Sequence, residues 1–149
     1  LSALKTKSLK EKAEILDDHG FVFADGKFKE TDAVKESDFA RVLNMFTEMR
    51  TYSFEGELEL ADGRTFESSD KPLTNADAMI MLTAAECGTK VPQLKGVFRS
   101  PYTDIKDSDK NVGYYAIAYA LINSNETKLE PNSKFTYADM INLVYDYIA

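Results

Sequence analysis

Apolar residues recur at helical spacing in five stretches of the chain. Leu9, Ala13 and Leu16 make one face of "SLKEKAEILDDHG", with Ser8 and Glu11 as a capping-box pair and Gly20 as the stop. Phe39, Val42, Leu43 and Phe46 do the same after "AVKES", Met81 and Leu82 after "PLTNAD", and Met140, Leu143, Val144 and Tyr147 after "KFTYAD". The run "YYAIAYALI" (114–122) is apolar throughout, too short for a membrane span, and reads as a buried helix. These patterns predict helices over 8–19, 36–49, 74–87, 111–123 and 136–148. Between the second and third, "YSFEGELELADGRTF" alternates Phe54, Leu58 and Leu60 with polar or small residues up to Asp-Gly, the signature of a β-hairpin.

Three of these helices open in the same way. Thr136 and Asp139 stand as hydroxyl and carboxylate three residues apart, Thr74 and Asp77 repeat the pair, and Asp38 repeats it with Lys35 in place of the hydroxyl. Residues 1–48 also lie over residues 102–149 without a gap: Leu16 meets Ile117, Phe21 meets Ile122, Phe28 meets Leu129, Val34 meets Phe135, and Phe39 meets Met140. The unit reads as helix, turn at Asp25-Gly26, short extended piece with Phe28 inward, helix. In the middle copy the hairpin replaces the first helix, and Phe66 falls one residue out of register with Phe28. One domain of three units follows: about 1–50, a degenerate copy over about 51–97, and about 98–149. Units that bury their apolar faces only against one another predict a mainly α, pseudo-threefold bundle, with the helices near Asp38, Asp77 and Asp139 around its axis.

Charge narrows the partners. With 25 acidic and 18 basic residues the net charge is −7, and no dense basic patch offers itself to nucleic acid. A single cysteine, Cys87, precludes an internal disulfide and reads as a small buried residue at a helix end. Leu1 in place of a methionine reads as the start of an excised or processed piece, so the lack of a signal peptide carries no information. No catalytic constellation, cofactor motif or metal-ligand spacing stands out. His19 suits a helix end, and no serine or cysteine motif partners it. An EF-hand loop begun at Asp107 has Val112 where glycine is required and Ala118 where glutamate is required; Asp107 or Asp109 is instead expected to cap the next helix.

Copy three contains "PYTDI", with Tyr102, Asp104 and Ile105, then its helix, Leu129, Pro131 and "FTYAD"; copy one has "DGKFK" and "VKESDFARVL"; copy two keeps "LTNAD". These residues resemble the S-layer homology (SLH) family of bacterial cell-surface anchoring modules. The resemblance implies an extracellular, cell-wall or S-layer location and a non-catalytic module that binds secondary cell-wall polysaccharide in grooves between repeats. It also implies an arginine at the signature position, where this chain has Glu36, Asn75 and Tyr137, and the family's helix-one tryptophan is missing. The glycan-binding candidates by position are Glu36, Asp38, Asn75, Asp77, Tyr137 and Asp139. Tyr137 can stack on a sugar and Asn75 can bond hydroxyls, or both are exposed residues of a first helical turn; the Thr–Asp pairs are caps, with or without a ligand nearby. Cell-wall polysaccharide and other surface proteins are the two partner classes. The alternative to anchoring is a structural assembly module of a surface protein that has lost glycan binding.

Overall fold

The structure is a computed structural model and describes residues 8–20, 29–47, 58–59, 65–66, 70–87 and 98–148. Five helices carry it: α1 (Leu9–Asp18), α2 (Glu36–Thr47), α3 (Asn75–Cys87), α4 (Val112–Leu121) and α5 (Tyr137–Ile148). Each lies within two residues of the bounds that periodicity predicts. Between α2 and α3, β1 (Leu58–Glu59) pairs antiparallel with β2 (Thr65–Phe66), Leu58 opposite Phe66 and Glu59 opposite Thr65. The expected turn between them, the Asp25-Gly26 turn, Phe21 and Phe28 fall outside the described residues, as do the side chains of Phe46, Phe66 and Cys87. Among the described residues no helix is long and apolar enough to cross a membrane.

The centre is a ring of backbone hydrogen bonds. The Val34 N–H donates to the Phe135 carbonyl at 2.8 Å, the Phe135 N–H to Leu73 at 3.0 Å, and the Leu73 N–H to Val34 at 2.9 Å. A second tier repeats the pattern one step out: Glu36 to Lys71 at 2.8 Å, Asn75 to Ser133 at 2.9 Å, and Tyr137 to Asp32 at 3.1 Å, each amide donating to a carbonyl. Each of the three extended segments, just before α2, α3 and α5, thus bridges both of the others. The ring residues are shut from water, at 0% exposure for Val34, 1% for Leu73 and 2% for Phe135. A buried amide or carbonyl there has to find a partner in the protein.

The helices leaving the ring bury matching positions. Phe39, Ala78 and Met140 are each fully enclosed, and Leu43, Leu82 and Val144 follow one turn later. Phe39 and Phe135 meet edge to face, centroids 5.2 Å apart. Outside this layer α4 packs on α3 and α1 on α5. The Thr83 hydroxyl donates to the Tyr114 carbonyl at 2.6 Å in the first pair, and the Lys12 ammonium to Asn142 Oδ1 at 2.9 Å in the second.

Helix ends follow their sequence signals with one correction. Ser8 Oγ accepts from the Glu11 N–H at 3.2 Å, and Gly20 closes α1 at φ +89°, a conformation that suits glycine. His19 lies at the C-terminus of α1 with its ring Nδ1 2.8 Å from the Ile15 carbonyl, so that nitrogen carries the proton. Neither Asp107 nor Asp109 caps α4. Asp107 accepts from the Ser100 amide at 2.8 Å, Asp109 accepts from the Asn111 amide at 2.8 Å, and Asn111 occupies the cap position without a side-chain bond. Both aspartates are used to shape the turns that lead in.

Both Thr–Asp pairs form complete capping boxes. Asp77 accepts from the Thr74 N–H at 3.2 Å while Thr74 Oγ1 accepts from the Asp77 N–H at 3.2 Å; for Thr136 and Asp139 the distances are 3.0 and 3.2 Å. Thr74→Ala and Thr136→Ala should therefore each lower stability by about 1 kcal/mol in urea melts, and the two losses should add. An unchanged midpoint for Thr136→Ala would show that the α5 cap contributes nothing to the fold.

Candidate functional site

The six candidate residues form two triplets, at the first and third positions of α2, α3 and α5. Asp77 and Asp139 are occupied by the caps just described. Asp38 differs because Lys35 brings no hydroxyl. The Asp38 amide donates instead to the Lys35 carbonyl at 3.0 Å. Its carboxylate turns to Tyr137, whose hydroxyl donates to Oδ2 at 2.7 Å, and to Arg41 at 3.8 Å.

Of the first-position residues, Tyr137 and Asn75 bond across to another segment. Tyr137 is 6% exposed, so little of its ring is left for stacking on a sugar, and it is not the exposed first-turn residue that was the other expectation. Burial first, and then the Asp38 carboxylate, push its phenol up to about 12. Glu36 is enclosed at 2% exposure. Asn75 reaches across to another segment, its amide nitrogen donating to the carbonyls of Leu129 at 3.1 Å and Glu130 at 3.3 Å.

Asn75 and Asp139 do meet on the wall of a groove of about 850 Å³. It runs between the N-terminal half of α3, the face of α5 that carries Asn142 and Asp146, and the 122–130 loop after α4. Glu36, Asp38, Asp77 and Tyr137 lie elsewhere, as do Lys35, Lys71 and Lys134.

The loop is held in shape at both ends. Asn123 adopts φ 49° directly after α4, a left-handed position that asparagine tolerates, and the Ser124 amide donates to Tyr119 at 3.0 Å. Glu130 is also left-handed, at φ 52°. Asp104 secures it: one carboxylate oxygen accepts from the Leu129 amide at 3.0 Å, the other from the Glu130 amide at 2.8 Å. With Asn75 bound to the carbonyls of the same two residues, all four of their backbone polar groups are engaged. Desolvation works against the Asp104 charge, but the two amides, with Lys128 nearby, outweigh it and hold the carboxyl below its ordinary value.

Several groove residues carry no signal in a single sequence. Asn142, Asp146 and Glu130 read as polar positions on a solvated face or in a turn. Tyr102 and Asp104 were legible only as the aromatic-x-Asp element of "PYTDI". Among the described residues no group of three His, Cys, Asp or Glu side chains could hold a metal ion.

Two pH dependences follow. Because the folded state lowers the Asp104 pKa, the unfolded chain binds the extra proton, and the stability this contributes is present above the ordinary carboxylate value and lost as pH falls below it. Denaturant midpoints measured on an acid series should fall less steeply for Asp104→Asn than for the parent; identical slopes would mean the two amide bonds do not discriminate charge. The Tyr137 phenol has the opposite sign. Its raised value contributes stability below pH 10, lost as pH climbs toward 12. Ultraviolet titration should show tyrosines ionising near 12, with the amplitude there reduced by one tyrosine in Tyr137→Phe.

Compared with protein-family models, curated proteins and solved structures, the chain matches none.

Proposed function

We propose that the chain is a non-catalytic bacterial cell-surface module similar to SLH domains, acting outside the cell at the wall or S-layer. In this reading three helical repeats, the middle one with a β-hairpin in place of its first helix, close into a pseudo-threefold bundle. Carbohydrate is held in the groove between the second and third. The observation that carries the reading is that groove: about 850 Å³, seated on a seam of the backbone ring and shaped by the Asp104 and Asn75 clamps. Side-chain amides and hydroxyls such as Asn125, Thr127 and Asn142 suit the hydroxyl groups of a sugar.

Charge decides which carbohydrate. Four carboxylates, Glu126, Glu130, Asp139 and Asp146, face the groove against one lysine, Lys128. Arginine holds an anionic group through paired, charge-assisted bonds, and the signature positions here supply none. An anionic, pyruvylated polymer is therefore repelled.

A second reading has its own observation. An apolar cleft of about 340 Å³ lined by Phe98, Ala116, Ile117, Ala120 and Leu121 favours a structural assembly module that docks another surface protein.

Co-sedimentation with purified sacculi separates the two. The chain should pellet with sacculi that carry cell-wall polymer, and pellet at least as well after the pyruvyl groups are removed. Pelleting with neither would leave the assembly reading. Tight, pyruvyl-dependent and salt-sensitive pelleting would mean that Lys35, Lys71 or Lys134 replaces the missing arginines.

A further inference from the structure

Tyr102 sits in the groove in a state that neither caps nor clamps explain. It is 5% exposed and lines the groove beside Ile122 and Leu129. Its backbone is engaged, the N–H donating to Ser100 Oγ at 3.1 Å and the carbonyl accepting from the Ser100 hydroxyl at 2.9 Å. Tyr119 packs against the ring edge to face, centroids 5.4 Å apart. The Tyr102 hydroxyl, by contrast, has no hydrogen-bond partner among the described residues. Among the described residues it is not a buried atom stranded without a partner either, so it reaches the water of the groove, where a ligand can take that water's place.

The surroundings of that hydroxyl are negative. Burial foremost, then the nearby Tyr119, Asp104 and Glu126, push the phenol up to about 12, so it stays neutral and able to donate or accept. Glu126, Glu130 and Asp146 are exposed at the rim, and among the described residues none of the three carboxylates makes an ion pair or accepts a hydrogen bond. Asn142 adds donors, because its carbonyl oxygen is taken by Lys12 and among the described residues its amide N–H groups meet no acceptor.

We propose that this groove binds a glycan bearing free amino groups, with the Tyr102 hydroxyl as a contact inside it and Glu126, Glu130 and Asp146 as counter-charges to the ammonium groups. The inference rests on the groove being a carbohydrate site and names the sugar class. Carboxylates without partners favour an ammonium group over an N-acetyl group, which brings no charge to meet them. The flanking amides favour a sugar over a lysine-rich peptide, since hydroxyls all round a ring can use donors and acceptors on both walls.

The test is calorimetric titration of the 149-residue chain with short chitosan oligomers and with fully N-acetylated oligomers of the same length. The amino form should bind about tenfold more tightly, because each exposed ion pair contributes a few-fold and three are available. The triple variant E126Q/E130Q/D146N should lose that preference; Asp139 is left intact because it caps α5. Tyr102→Phe should weaken the amino oligomer several-fold while the melting temperature stays level or rises, since among the described residues the hydroxyl has no partner to lose. A fall in melting temperature with unchanged affinity would assign Tyr102 to the fold and overturn its place in the site. Equal or tighter binding of the acetylated oligomer overturns the charge assignment and leaves the carbohydrate reading standing. Oligolysine displacing the amino oligomer at equal concentration overturns the choice of sugar over peptide. No heat with either oligomer overturns the charge assignment, and no pelleting with sacculi in addition removes the carbohydrate reading too.

Discussion

Everything in the described structure is arranged around six backbone groups, the amides and carbonyls of Val34, Leu73 and Phe135. All three residues are buried, and each lies in an extended piece of only a few residues before its helix starts. A piece that short cannot form an ordinary sheet, and a piece that deep cannot leave its polar groups to water. Closing the three into a ring satisfies each amide with the carbonyl of a neighbour. The ring then fixes where α2, α3 and α5 begin, and the buried Phe39, Ala78 and Met140 near those starts belong to one core.

This arrangement explains why the candidate residues act mostly as structure. A residue at the first position of a helix leaving the ring is already beside the chain of a neighbouring segment. Asn75 is thereby drawn to Leu129 and Glu130, and Tyr137 to Asp38. The loss of a hydroxyl at Lys35 has a second consequence. It frees the Asp38 carboxylate from capping and makes it the acceptor that Tyr137 uses. A defect in one cap thus becomes a bond between two segments.

The groove inherits its shape from the same economy of polar groups. Glu130 holds a left-handed conformation because Asp104 binds two successive amides and Asn75 binds the two carbonyls. With both ends of the loop fixed, the side chains along it face a wall of α5 whose exposed positions are acidic or amide. The acidic excess of the sequence is therefore also a local property of this groove, which sets four carboxylates against one lysine.

The sequence by itself determined the five helices, because apolar spacing, caps and the stop at Gly20 are local, and their free energy depends little on what lies far away in the chain. It also determined the paired Thr–Asp caps, whose partners are three residues apart. The tertiary structure decided what faces water. Tyr137 and Glu36, two residues of a first helical turn, are enclosed because segments about a hundred and about thirty-five residues away close over them in the ring. It likewise decided that Tyr102, Asn75 and Asn142 share one groove and that Asp104 holds its loop, although they are scattered through the chain. Hydrogen bonds between such distant residues leave no periodicity to read, so only the folded chain brings that site together.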